Sequence, residues 1–262
     1  MIVSVSLLPD ASRLTEETDV AIVIDVLRAT SVMARALSAG ASRITTCREI
    51  DQARQLAASS DPPALLCGER ACKKIDGFDL GNSPSEYSEA RVAGIPLVMT
   101  TTNGTRAIEA AANVSRVFTA SFLNLEAVLD AIAQVNTLHL VCAGTDGEVT
   151  AEDVSLAGAI VSRCETRFGA ILGNDEAILA RQLWKSWFPQ KQQAPNARKA
   201  QAAQQVQLGD HLKETRGGRN LARVGYEQDL ILCSEMDAVS VVPERVSLSP
   251  AVFEPAIFQC KQ

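Results

Sequence analysis

Histidine is nearly absent from this chain of 262 residues, where His139 and His211 are the only two. The zinc signature HExxH needs a pair four residues apart, and these two are far apart, so zincins and most histidine-centred triads are excluded. Cysteine is present but patternless: seven residues, an odd number, with no CxxC pair. Four of them sit inside apolar runs, where a reduced thiol behaves as a small hydrophobe, so neither a disulfide framework nor a thiolate zinc site is expected. A bound metal would have to rely mainly on oxygen ligands, which favours magnesium over zinc.

Other signatures are missing as well. The sequence contains no GxGxxG, GxxxxGK[ST] or GxSxG, which removes the dinucleotide, P-loop and hydrolase-elbow motifs. No cysteine is followed six positions later by arginine, so the cysteine-phosphatase loop is absent. With a net charge of −6 and no long basic run, a nucleic-acid partner is not expected. No apolar stretch approaches the roughly 20 residues that span a bilayer. The opening MIVSVSLLPD has no basic n-region, and Asp10 interrupts it too soon for a signal sequence. A cytoplasmic, membrane-free protein is the expectation.

What is present is a repeated succession of apolar runs and helical windows. Strands are predicted at 2–7, 20–24, 43–47, 64–67, 97–100, 116–120, 138–142 and 239–242. Apolar residues at helical spacing fall between them at 32–37, 49–57, 125–132 and 154–161, and a longer helix with both tryptophans covers 174–187. Such alternation predicts a three-layer α/β/α fold around a largely parallel sheet. The whole of 1–262 reads as one compact unit, and a division into two closely packed lobes would fall near residue 135. The Gln-rich stretch 190–207 reads as a loop and a solvated helix. Apolar helices combined with only 21% charged residues give a homodimer as the expected assembly.

Chemistry-bearing residues collect immediately after the apolar runs, where the strand ends of an open α/β sheet bind ligands. In IVIDVLRATS, Asp25 and Arg28 follow the strand, and Thr30 or Ser31 can cap the next helix. Capping accounts for one hydroxyl but not for an acid and an arginine together. In CGERACKKIDGFDLGNSPSEY, Glu69 and Arg70 lead into a long loop that carries Lys73, Lys74, Asp79, Asn82 and Ser83. TTTNGTRA offers Thr102, Asn103, Gly104, Thr105 and Arg106 at a helix start, which reads as a phosphate or sulfonate cradle. In CAGTDGEVTAEDVSLAGA, Glu152 and Asp153 open a helix, where complementing the dipole is as good an account as a functional one. Arg219 and Asp229 come from RGGRNLARVGYEQDL, and Arg219 either closes over an anion or lies on the surface.

Taken together, IDVLRATS, GERACKKIDGFDLGNSPSEY, TTTNGTRA, CAGTDGEVTAEDVSLAGA and GRNLARVGYEQDL resemble the ComB family, the magnesium-dependent 2-phosphosulfolactate phosphatases of coenzyme M biosynthesis. The match runs in order through most of the chain. It departs at Ala71 and Cys72, where the family usually has a small residue and then glycine, and in the Gln-rich stretch. The resemblance implies hydrolysis of a phosphate ester on a small acid that also carries a sulfonate and a carboxylate. It further implies Mg2+, held or served by Asp25, Glu69 and Asp153, with their division between metal and base left open. Arg28, Arg70, Lys73, Arg106 and Arg219 would receive the polyanion, with Asn82 and 102–105 beside them. A lyase or transferase acting on a similar anion is the alternative. A non-catalytic anion binder is a third reading, and one that would gain nothing from the acids.

Overall fold

The computed structural model describes residues 1–15, 17–189 and 197–256, with side chains of 197–201 left out of the description. Eleven strands form one sheet: β1 Ile2–Ser6, β2 Val20–Ile24, β3 Arg43–Thr46, β4 Leu65–Arg70, β5 Lys73–Lys74, β6 Pro96–Thr100, β7 Arg116–Ala120, β8 Thr137–Cys142, β9 Ile171–Leu172, β10 Pro243–Leu248 and β11 Ala251–Pro255. The helices among the described residues are α1 Ala29–Ser38, α2 Ile50–Ala58, α3 Glu89–Val92, α4 Gly104–Ala110, α5 Leu125–Ala131, α6 Ala151–Phe168, α7 Asp175–Trp187, α8 Ala197–Glu214, α9 Arg216–Arg223 and α10 Glu227–Cys233.

Strand order is β5-β4-β6-β3-β11-β10-β7-β2-β8-β1-β9. Pairing is parallel within β4-β6-β3 and within β7-β2-β8-β1-β9, and antiparallel where the β10–β11 hairpin joins the two groups. Strands from either side of residue 135 interleave, because β8 lies between β1 and β2. β2 shows why its VAIVI run is apolar throughout: Ile22 and Ile24 face one core with α5 and α6, while Ala21 and Val23 face another with α1 and α4. Helices therefore cover both faces, as a largely parallel sheet requires.

Two expectations need correction. Residues 239–242 form no strand: Val239 donates its amide to the Leu123 carbonyl and Val242 is buried, so the run is an apolar lead-in to β10. Thr30 and Ser31 do not cap α1. Each lies in its first turn and donates back to a carbonyl, Thr30 to Asp25 at 2.9 Å and Ser31 to Val26 at 2.8 Å. Of the Gln-rich stretch, 190–196 lies outside the described residues, and Ala197 begins α8. No helix among the described residues is long and apolar enough to cross a membrane.

Candidate active site

A cavity of about 330 Å³ opens where β2, β4, β6 and β8 end. It is lined by Asp25, Arg28, Glu69, Arg70, Asn82, Thr102 and Asn103 of the residues expected from sequence, together with Leu27, Ala71, Cys72, Thr101, Thr145, Asp146, Gly217 and Asn220. The size suits a small ligand, and the charged lining suits a polar one.

Asp25 is buried at the end of β2 and accepts the Ala29 amide on Oδ1 at 3.3 Å. Burial pushes its carboxyl up to about 7, against the pull of that amide, and the charges of Glu69 and Glu152 add to the rise. The start of α4 packs tightly against this group. A Cβ on Gly104 would stand 2.9 Å from Asp25 Oδ2 and 2.9 Å from the Ala29 Cβ, so only glycine lets α4 begin here. Glu69 is held rigidly instead: Oε1 accepts the amide and hydroxyl of Thr102 at 3.1 and 3.0 Å, and Oε2 accepts the Cys72 amide at 2.9 Å. The Thr102 amide, which sequence assigned to an anion cradle, is thus already engaged by a carboxylate.

Both arginines are fixed. Arg70 donates to the carbonyls of Glu69 and Arg48 at 2.7 and 2.6 Å and to the Thr100 hydroxyl at 3.0 Å. Arg28 pairs with Asp229 at 2.5 Å, donates to the Cys72 carbonyl at 2.7 Å, and stacks over Tyr226. The Asn82 Oδ1 is buried without a partner, a polar atom left for a ligand or water to satisfy.

Five expected side chains are placed elsewhere. Asp153 does not line the cavity; Oδ1 accepts the Val26 amide and Oδ2 the Gly144 amide, so it braces the loops around the site. Burial, and then the neighbouring Glu152 and Asp25, hold its carboxyl well above the usual range. Thr105 is buried away from the cavity and donates to the Cys47 carbonyl. Arg106 is exposed on α4 because the helix turns its inner face, Ala107 and Ile108, into the core. Arg219 is likewise exposed and donates to the Glu214 carbonyl; Gly217 and Asn220 of the same helix reach the cavity instead. Lys73 is exposed on β5 and does not line it either.

Sequence reasoning missed the role of Glu152 as a buried neighbour of the site. Its Oε1 occupies the space a Cβ on Gly217 would need, and its Oε2 is buried without a partner. The acid at the opening of α6 and the glycine pair in RGGRN were both visible, but nothing in the sequence joined them. The two histidines play no part in the cavity: His139 shares a hydrogen bond with Ser6 at 2.8 Å, and His211 stacks on Trp187.

Among the described residues no three His, Cys, Asp or Glu side chains converge on a common metal position. Three carboxylates line the cavity: Asp25 and Glu69, whose hard oxygens could serve a divalent cation, and Asp146, which faces Arg216 at 3.5 Å; Asp153 does not line it and accepts backbone amides instead.

A layered α/β sheet that gathers fixed carboxylates and fixed arginines at the ends of its parallel strands defines an enzyme acting on a small anion. The comparisons narrow that class. Residues 6–247 match the family described as 2-phosphosulpholactate phosphatase. Three proteins named "Probable 2-phosphosulfolactate phosphatase" are similar along most of their length. The one from Symbiobacterium thermophilum is 37% identical over 86% of this chain and 90% of its own. The Thermotoga maritima protein is 37% identical over 88% and 91%, and that of Prochlorococcus marinus MIT 9313 is 38% identical over 88% and 90%. The chain belongs to the 2-phosphosulfolactate phosphatase family, and so to the phosphoric monoester hydrolases.

Proposed function

We propose that this protein hydrolyses the phosphate ester of 2-phosphosulfolactate, or of a similarly small phosphorylated acid, using magnesium. The observation that carries the reading is the joint presence of Asp25, Glu69, Arg28 and Arg70 in the lining of one cavity. Counting Asp146, acids in that lining outnumber arginines, so a polyanion needs a cation to enter. Two carboxylates are a usual protein share for magnesium, which keeps water and takes phosphate oxygens as its remaining ligands. Asp25 and Glu69 would hold it, and it would supply charge stabilisation to the phosphoryl group.

The chain's own groups do the rest. Arg28 and Arg70 orient the anionic groups with directed N–H donors. The same two carboxylates would orient the water that attacks phosphorus. A covalent aspartyl phosphate would need a second acid two residues on to act as acid and base, and that position is Leu27. Direct attack by water follows.

The test is phosphate release from a panel of phosphorylated small acids, with magnesium or manganese and after exhaustive chelation. Release that depends on the metal, with zinc a poor substitute, supports the proposal. Full activity after chelation would remove the metal from it, and no release from any panel member would favour a lyase or transferase. A cytoplasmic homodimer is part of the same reading; light scattering that gave a mass near 28 kDa at micromolar concentration would overturn the dimer.

A further inference from the structure

We infer that Asp229 is the positioning residue for Arg28, setting the orientation in which that guanidinium receives the substrate's anionic group. The inference rests on the cavity being the phosphatase site proposed above. Asp229 does not itself line the cavity, so it acts through Arg28, which does.

The two side chains are 2% and 3% exposed, and they meet at 2.5 Å across a separation of 201 residues. Arg28 Nη1 donates to Asp229 Oδ2, and Nη2 donates to the Cys72 carbonyl at 2.7 Å. The guanidinium carbon lies 4.5 Å from the centre of the Tyr226 ring. A guanidinium has five N–H donors in a planar fork. Two bonds within its plane and a ring against its face leave it no freedom to rotate, while other donors remain for a ligand. Asp229 is in turn fixed on its second oxygen, which accepts the Ser83 hydroxyl at 2.6 Å. The order of control is Ser83, Asp229, Arg28, cavity.

Stability alone does not account for the arrangement. A buried ion pair is commonly no more stabilising than apolar residues of the same volume, because desolvation offsets the attraction. The pair also cancels the arginine's charge locally. What Arg28 offers the substrate is therefore a set of aimed donors rather than free positive charge, and their aim depends on Asp229.

The experiment compares wild type with Asp229→Asn, Asp229→Glu and Ser83→Ala. Binding of inorganic phosphate is measured by calorimetry, and KM and kcat are measured with 2-phosphosulfolactate. Asp229→Asn should weaken phosphate binding and raise KM by about 10- to 100-fold, the loss of a well-aimed charge-assisted contact, with a smaller change in kcat. Asp229→Glu should restore part of both. Ser83→Ala, which keeps the ion pair and frees one end of Asp229, should shift both by roughly 2- to 5-fold. If Asp229→Asn does not fold, Ser83→Ala decides the matter. Wild-type phosphate affinity and KM in variants whose only change is a lower melting temperature would overturn the inference. So would a wild-type protein that binds no phosphate at millimolar concentration. If wild type binds phosphate and Asp229→Asn weakens that binding, yet no phosphate is released from 2-phosphosulfolactate, the positioning role stands and the proposed substrate falls.

Discussion

Asp153 Oδ1 accepts the backbone amide of Val26 at 2.9 Å, which ties the first turn of α6 to the loop that carries Asp25. Its other oxygen takes the Gly144 amide at 3.0 Å, so one carboxylate holds two site loops together. Asp153→Asn exchanges one of these acceptors for a donor facing an N–H. A loss of about 1–3 kcal/mol of stability is expected, the cost of a buried amide left unpaired. Thermal unfolding measures it directly, and kcat/KM should fall as well because the Asp25 loop is released. An unchanged melting temperature would show that the brace is dispensable.

The acid cluster gives the metal-free protein a definite pH dependence. Burial raises Asp25 to about 7, and burial likewise holds Glu152 above its ordinary value. These groups keep their protons in the folded state at pH values where the unfolded chain has lost them. Stability should therefore fall as pH rises from about 4 to about 7, with a slope of at most about 1.4 kcal/mol per pH unit from Asp25 alone. Denaturant midpoints in EDTA at about pH 5 and about pH 7.5 test the sign, and added magnesium should recover the loss at the higher pH. A midpoint that rises with pH would mean the carboxyls are ionised and paired throughout.

The arginines of the sequence separate into two kinds. Arg28 lines the cavity and Arg106 is exposed on the other side of α4's inner face. Arg106→Ala should leave kcat/KM within about 2-fold of wild type, as surface substitutions generally do. Arg28→Ala should abolish most turnover and also destabilise, since Asp229 would be left buried without its partner, at a cost of about 3–5 kcal/mol. Equal kinetics in the two variants would contradict the assignment.

Gly104→Ala is a small change with a large expected effect. The added methyl would have to displace Asp25 Oδ2 at 2.9 Å and the Thr101 hydroxyl at 3.0 Å. Activity should drop by at least about 10-fold while the circular dichroism spectrum stays native, because overpacking here moves a site carboxylate more than it moves the core. Normal activity would show that the loop yields without disturbing Asp25.

A single displacement by water inverts configuration at phosphorus, so a substrate chiral there reports the mechanism. Inversion is expected. Retention, or a trapped phosphoenzyme on Asp25, would restore the covalent route despite Leu27.

What could be read from the sequence were features made by neighbours in the chain. The VAIVI run gave β2 because both its faces are buried, and Asp25 and Glu69 stood out because each directly ends an apolar run. What could not be read were features made at a distance. β10 and β11 begin or end in proline and lack the buried apolar run of the inner strands, β10 even exposing Val246 and Leu248, so they resemble loops until their partners on β7 and β3 are known. Asp153 looked like a ligand because its type and position fit, whereas its two backbone partners are set by tertiary structure. Asp229 drew notice in its motif, but its pairing with Arg28 crosses most of the chain.

The hairpin of β10 and β11 sets an order on synthesis. β3 and β7 are made early, yet the strands that join them leave the ribosome only after residue 240 or so. Until then each parallel group presents an unpaired edge, the kind of surface on which nascent chains associate wrongly. The hairpin therefore acts as a late closure: the two halves of the sheet can form first, and the single sheet that spans the enzyme is completed once residues 243–255 have joined them.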